Sequence, residues 1–356
     1  MFRLTRTDTG HPFGLHPALI LVGVFLLAYP WFASDFFVFQ IGAYSLILGT
    51  IGLSLMMLAG YGGMVSLAQL TVAGVAGYMM AILGENSMGV MGLGWPWWLT
   101  AVAAILSAAL FSAFIGAIAV RTEGIYTIMI TLAIAVAFFY FVRQNYALFN
   151  GFTGYAGIEP PTLLGVYWRD ATPFYYLTLV ISGFFFFAVT YGARSTFGLS
   201  LQAIRDNPRR MRALGYDVTL HRVAAYFLSG LIAGTAGVLL VWFNGRISPG
   251  SVGIDVAIDI LVIAVVGGMR RPIGPYLGAI AFVLLENFAI DLIDRERFNT
   301  VIGLAFLLVV LFSPDGLLGL WNRFKTKIRL PHAVSTKDGR EIRGDRNSPG
   351  SLEQSP

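Results

Sequence analysis

Long apolar runs separated by short polar segments make up most of this sequence. The runs lie at about 17–32, 36–59, 64–83, 97–120, 124–146, 173–192, 223–243, 256–269, 273–290 and 300–313. A helix needs roughly 20 apolar residues to cross the hydrocarbon core of a bilayer, so the pattern predicts an all-α polytopic membrane protein with about ten transmembrane helices. The runs near 256 and 300 are short for a crossing, and must tilt little, borrow flanking residues or be shielded by protein. One polar island interrupts the series, from Arg194 to Arg222. Within it Leu201, Ile204, Met211 and Leu214 recur at roughly helical spacing, and Pro208 divides the segment into two short amphipathic helices whose apolar faces need a partner.

Charge orients this series. The island carries Arg194, Arg205, Arg209, Arg210, Arg212 and Arg222 against only Asp206 and Asp217, the arginine excess of a cytoplasmic segment. With ten spans and both termini cytoplasmic, 19 of the 24 Lys and Arg fall inside: Arg3, Arg6, Arg121, the island, Arg270, Arg271 and the tail from Arg323 onward. The other 5 are Arg143, Arg169, Arg246, Arg295 and Arg297, and without the tail the split is still 11 to 5. The expected organisation is a cytoplasmic N-terminal segment at 1–16, a transmembrane domain at 17–321 with its cytoplasmic loop at 194–222, and a basic, disordered cytoplasmic tail at 322–356. The start has the charge of a signal peptide, yet no small-residue cleavage site follows and further spans come at once.

Composition narrows the function. Charged residues are 12% of the chain, against about 25% in a soluble domain, and the net charge of +5 arises from loop residues that set orientation, so it is no nucleic-acid footprint. There is no cysteine, and His11, His16, His221 and His332 all lie in polar flanks, so neither a thiolate nor a histidine metal site is expected. The chain lacks G-x4-G-K-[ST] and H-E-x-x-H and holds no dinucleotide fingerprint, so it is read as no enzyme, with no cofactor. Energy for transport must come from a partner or an ion gradient.

Glycine is 41 of 356 residues, and many lie inside spans, including Gly60, Gly62, Gly63, Gly74, Gly77, Gly230, Gly234 and Gly237; small residues let helix backbones approach where lipid offers no hydrophobic drive. In GYGGMVSLAQLTVAGVAGY (60–78), Ser66, Gln69 and Thr71 place hydrogen-bonding groups at membrane depth, which is tolerated facing a cavity or other protein. They are candidates for a substrate pathway or for bonds between neighbouring helices. Carboxylates in spans are costly, so Asp259 and Glu286 are pathway candidates beside the alternatives of interfacial snorkelling or structural hydrogen bonding; Asp255 and Asp259 could also cap their helix. Arg121 and Glu123 fall at an interface. Gly62-Gly63-Met64 and Gly267-Gly268-Met269 face the same side in this topology and do not support an inverted repeat.

The pattern Gly198, Ala203-Ile204-Arg205, Ala213, Gly215 resembles the cytoplasmic coupling loop of branched-chain amino acid ABC permease subunits of the LivH/LivM type. GYGGMVSLAQ (60–69), RTEGIYTIMITLA (121–133), the ISP, acidic, Gly-Gly and G-P-x-x-G-A series at 247–279, and FSPDGLLGL (312–320) are similar, segment by segment, to the LivM-like members. Met64 and Ala68-Gln69 depart from residues common in that family, which leaves the substrate open and the fold not.

The resemblance implies an ABC importer permease in a bacterial inner membrane, paired with a second, LivH-like permease, two cytosolic ATP-binding subunits and a periplasmic or surface substrate-binding protein. The loop would dock on an ATPase; a basic loop that only sets topology is the alternative. Branched-chain amino acids are the implied cargo, with urea, short amides and small carboxylates open. An ion-gradient-driven secondary transporter would leave the Ala-Ile-Arg loop unexplained, and a structural or channel subunit would give passive flux.

Overall fold

The computed structural model describes residues 17–86, 92–122, 124–163, 165–292 and 303–304. The segments at 1–16 and 322–356, Glu123 and, apart from 303–304, the expected span at 300–313 lie outside the described residues. The helices in chain order are α1 (Pro17–Phe32), α2 (Tyr44–Met56), α3 (Gln69–Leu83), α4 (Trp97–Ala119), α5 (Ile125–Gln144), the single turn α6 (Tyr146–Phe149), α7 (Ala171–Gly192), α8 (Thr196–Asp206), α9 (Pro208–Ala213), α10 (Val218–Asn244), α11 (Ile254–Gly267) and α12 (Gly274–Leu292). Two π-helical turns, Phe37–Ala43 and Met57–Tyr61, run continuously into the ends of α2.

Every apolar run between 17 and 290 thus carries a helix. Among the described residues six helical units are long and apolar enough to cross a membrane: Phe37–Tyr61, α4, α5, α7, α10 and Pro249–Gly267. The short run near 256 reaches that length by borrowing the 3-10 turn Pro249–Val252 in front of α11. Shorter apolar helices cover Leu21–Phe32, Gln69–Leu83 and Gly274–Phe288.

One span begins later than its apolar run. Residues 64–68 are not helical, because Gly63 takes a left-handed conformation (φ 68°) and the amide of Met64 turns back to the carbonyl of Leu58 (3.0 Å), a glycine stop that satisfies the end of the preceding turn. α3 therefore starts at Gln69 and is short for a crossing, but it is the centre of the fold: all of it except Met79 and Leu83 is buried. Met64, Ser66 and Ala68 of the broken segment are buried as well, so that much of its backbone is kept off lipid by protein.

α10 is the axis against which α4, α3 and α2 pack, and α12 closes onto α2 and α11. Small residues set these contacts. A Cβ at Gly230 would meet Ala109 and Ser112 of α4, one at Gly234 would meet Ala108, and one at Gly237 would overlap the backbone of Ala73 in α3. Gly267, Gly274 and Gly278 likewise bring the backbones of α11 and α12 together. Aromatic rings fill the far end of this core, where Phe243 stacks on Phe39 and Tyr44 at centroid distances of 4.5 and 5.1 Å.

The connections sort into two ends. At one, residues 57–63 meet the α8–α9 connection through Arg205 and the α11–α12 connection through Met269. At the other, β1 (Tyr155–Ala156) pairs antiparallel with β4 (Arg246–Ile247), the amide of Ile158 reaches the carbonyl of Gly245 (3.1 Å), and Val252 lies over Gly74. A second ladder joins β2 (Thr162–Leu163) to β3 (Val166–Tyr167). The all-helical expectation omitted these ladders because two-residue strands inside a long connection leave no period in the sequence.

Candidate functional site

The island between α7 and α10 folds as its punctuation requires. Ser195 caps α8 by accepting from the amide of Gly198 (3.2 Å), Asn207 caps α9 from Arg210 (3.0 Å) with Pro208 in its first turn, and Asp217 caps α10 from Leu220 (3.0 Å). Gly215 ends α9 with φ 88°, a conformation that glycine adopts without steric cost. Leu201, Ile204 and Met211 are buried, with Ala203 beside them and Val218 closing the small core; Leu214 is instead 66% exposed. The buried face thus finds its partner within the chain. Gly198 is required there, since a Cβ would overlap the backbone at Gly192 and Ala193 where α8 leaves α7.

The outward face carries Leu199, Arg209, Arg210, Arg212, Ala213, Leu214, Tyr216 and Leu220, all exposed. Leu199, Tyr216 and Leu220 were not read from the sequence as site residues; Leu199 lies opposite Leu201 on α8, whereas Tyr216 falls in the connection before α10 and Leu220 in its first turn, where the spacing of the loop helices gives no signal. Arg205 is exposed as well, but its guanidinium is held within the chain. Its Nε donates to Oδ1 of Asp206 (3.0 Å), its Nη2 lies 2.9 Å from the same oxygen in an ion pair, and its Nη1 donates to the carbonyl of Gly60. The α10 helix begins before the expected loop ends, so Arg222 is buried within it.

Ser66, Gln69 and Thr71 are each about 1% exposed, enclosed by helices of the same chain. Gln69 opens α3, and its Oε1 lies 3.0 Å from the hydroxyls of both Ser54 in α2 and Ser229 in α10. Those hydroxyls are also within reach of the carbonyls of Ile51 (2.6 Å) and Ser54 (3.0 Å). One hydroxyl proton cannot serve both acceptors. Exchanging the amide's oxygen and nitrogen lets Gln69 donate to both serines while they donate to the backbone, a better use of the donors. Ser66 accepts from the amide of Ala68 (3.4 Å), and the Thr71 hydroxyl has no partner among the described residues.

Asp259 on α11 and Glu286 on α12 both lie within electrostatic range of Tyr44, and Asp259 within that range of Glu286. Both are partly exposed, and Asp255 on the same face is exposed. One carboxylate oxygen of Glu286 is buried with no hydrogen-bond partner among the described residues. The structure does not join this acidic pair to the Gln69 cluster: Tyr44 and Ser54 lie ten residues apart on α2, roughly 15 Å along its axis.

The sequence pattern of the family described as branched-chain amino acid transport system / permease component matches residues 37–311. The chain is 25% identical over 291 residues to the high-affinity branched-chain amino acid transport system permease protein LivM of Salmonella typhimurium, covering 75% of this chain and 65% of that protein. The Escherichia coli protein of the same name is 25% identical over 324 residues, 84% of this chain and 74% of that one. A nucleoside ABC transporter permease protein, NupC of Lactococcus lactis, is 23% identical over 241 residues, 64% of this chain and 74% of its own length. No solved structure matches the chain significantly. With the family pattern spanning most of its length, this chain belongs to the branched-chain amino acid transport system permease components, and resembles their LivM-like members.

Proposed function

We propose that this chain is a transmembrane permease subunit of an ABC importer in a bacterial inner membrane, forming the translocation pathway for branched-chain amino acids and driven by separate ATPase subunits. The observation that carries this reading is the α8–α9 connection, which is seated on the membrane domain by its own apolar face and turns a second face, of leucines and arginines, away from it. That face suits a cytosolic partner with acidic and apolar surface. A second, LivH-like permease, two ATP-binding subunits and a substrate-binding protein complete the proposed assembly. LivM relatives favour branched-chain amino acids as cargo; a relative named for nucleosides keeps other small polar cargo in view.

Ten spans with both termini cytoplasmic is the proposed topology, supported by the 19 to 5 division of Lys and Arg and by the grouping of connections at two ends. The chain has no cysteine, so single cysteines report without background. A cysteine at the exposed Asn207 is expected to resist an impermeant thiol reagent added to intact cells, and one at the exposed Thr162 to react. Labelling of position 207 from outside would reverse the orientation.

Asp259 and Glu286 are the proposed pathway residues of first rank. A carboxylate facing lipid at the helix centre costs about 2.5–3.5 kcal/mol on insertion scales, so their partly exposed face belongs against a polar cavity or a second permease. Ser66, Gln69 and Thr71 are enclosed here and would meet cargo only after the broken segment at 62–68 opens. In vesicles holding the purified assembly and the binding protein, leucine uptake is expected to require hydrolysable ATP on the ATPase side. Asp259→Asn and Glu286→Gln should alter the ranking of leucine, urea, a small carboxylate and a nucleoside. Uptake driven by an ion gradient alone would overturn the importer reading, and an unchanged ranking would remove the two carboxylates from the pathway.

A further inference from the structure

The coupling loop is tied to the centre of the membrane domain at one point whose chemistry is unusual. Carbonyls in the last turn of a helix lack intrahelical partners and carry the negative end of the helix dipole. The turn Met57–Tyr61 ends in such carbonyls, and that of Gly60 receives Nη1 of Arg205. Asp206 holds the other side of the guanidinium through Nε and Nη2, which aims the fork at Gly60. The stem of Arg205 lies against Gly63, where a Cβ would come within 2.5 Å of Cγ, and a Cβ at Gly62 would meet Met64 at 2.8 Å and Leu201 at 3.7 Å. Gly60 also abuts the carbonyl of Met269, so the α11–α12 connection meets the same turn.

This turn is π-helical, a geometry that is rarely regular and is found mostly as local bulges, frequently at functional sites. It leads on one side into the buried α2 and on the other, through the break at 62–68, into α3 and Gln69. α2 in turn runs to Tyr44, beside Asp259 and Glu286.

We propose that Arg205 is a positioning residue that straps the loop to the Met57–Tyr61 turn, so that displacement of the loop enters the core through the Gly60 carbonyl as well as along α7 and α10. The proposal rests on the loop being the contact for the ATPase. It gives Arg205 a role distinct from that of Arg209, Arg210 and Arg212, which point outward: Arg205 passes motion on within this chain and does not hold the partner.

The test uses the complete purified assembly in vesicles and reads two quantities, the ATPase subunits retained per permease and the substrate molecules imported per ATP hydrolysed. Arg205→Met keeps the length of the stem and removes the donors; it is expected to retain the ATPase and to lower import per ATP at least tenfold. Arg205→Lys, whose ammonium can still reach one carbonyl, is expected to recover half or more of the loss. Gly63→Asn changes no charge, keeps a residue type that tolerates the left-handed φ of 68° and displaces the arginine stem from the other side; it is expected to act in the same direction, which carries the test if Arg205→Met is poorly recovered. Unchanged import per ATP in Arg205→Met, loss of the ATPase subunits from it, or a lysine variant no better than the methionine one would each overturn the strap. Failure of the underlying importer reading is distinguishable, because the unsubstituted chain would then hold no ATPase at all.

Discussion

Gly237→Ala is expected to destabilise the protein by about 3 kcal/mol, or to prevent its recovery in folded form. A Cβ at this position would overlap the carbonyl of Ala73 and lie too close to the carbonyl carbon and Cα of the same residue. Backbone cannot step aside as a flexible side chain can, so α10 would have to move off α3, and α3 is buried along nearly its whole length. The move would also loosen Gly234 against Ala108 and Gly230 against Ala109 and Ser112, since all three glycines lie along α10. Set against this is the helix propensity that alanine gains over glycine, roughly 1 kcal/mol, which is too small to compensate. Gly183→Ala in α7 is the control, because a Cβ there meets nothing within 4 Å and only the propensity gain should remain. The measurement is the temperature at which detergent-solubilised protein loses its monodisperse elution peak. Gly237→Ala should fall well below the parent and Gly183→Ala should equal or exceed it; equal midpoints for the two variants would show that α10 and α3 are not in backbone contact.

Gln69→Ala is expected to cost about 2–3 kcal/mol, from the cavity left in a closed site and from the loss of the amide that bridges Ser54 and Ser229. Gln69→Leu fills most of that volume and lets both serine hydroxyls keep their backbone acceptors, Ile51 and Ser54. It should therefore cost about 1 kcal/mol, near the average of roughly 0.6 measured for interhelical hydrogen bonds in a membrane. Transport separates the two roles open to this residue. If Gln69 meets cargo when the 62–68 segment opens, both variants and Gln69→His change the ranking among amino acids and amides at matched protein level. If it only joins α2, α3 and α10, transport falls in proportion to folded protein, most for alanine and least for leucine, with the ranking intact. The enclosure of Gln69 in this structure favours the second result.

Much of the arrangement of the 194–222 loop was legible in the sequence. The helical spacing of Leu201, Ile204, Met211 and Leu214 and the break at Pro208 predicted two short helices, because a proline acts through its own local backbone. The direction of Arg205 was not legible. Six arginines in the island look alike to a charge count, and only the closeness of Gly60, 145 residues away in the chain, singles one of them out. The exposure of Leu214 is a similar case: its spacing matched the buried face, but α9 ends at Ala213 and Gly215 turns the chain outward before the period can continue.

By itself, then, the sequence determined where the apolar helices lie and that Pro208 parts the 194–222 loop into two short helices. These follow from transfer free energy and local dihedral preference, which depend on residue type and near neighbours. It also carried the family resemblance, through motifs spread from Gly60 to Leu320. Tertiary structure alone decided that 62–68 is a break and α3 an enclosed helix, that Gln69 bridges Ser54 and Ser229, that Asp259 comes within electrostatic range of Glu286, and that Arg205 reaches the Gly60 carbonyl. Each of these depends on which small residues let which backbones approach. Glycine permits a close contact without specifying its partner, so the sequence shows that α10 can be approached at Gly237, and only the folded chain shows that α3 is what approaches it.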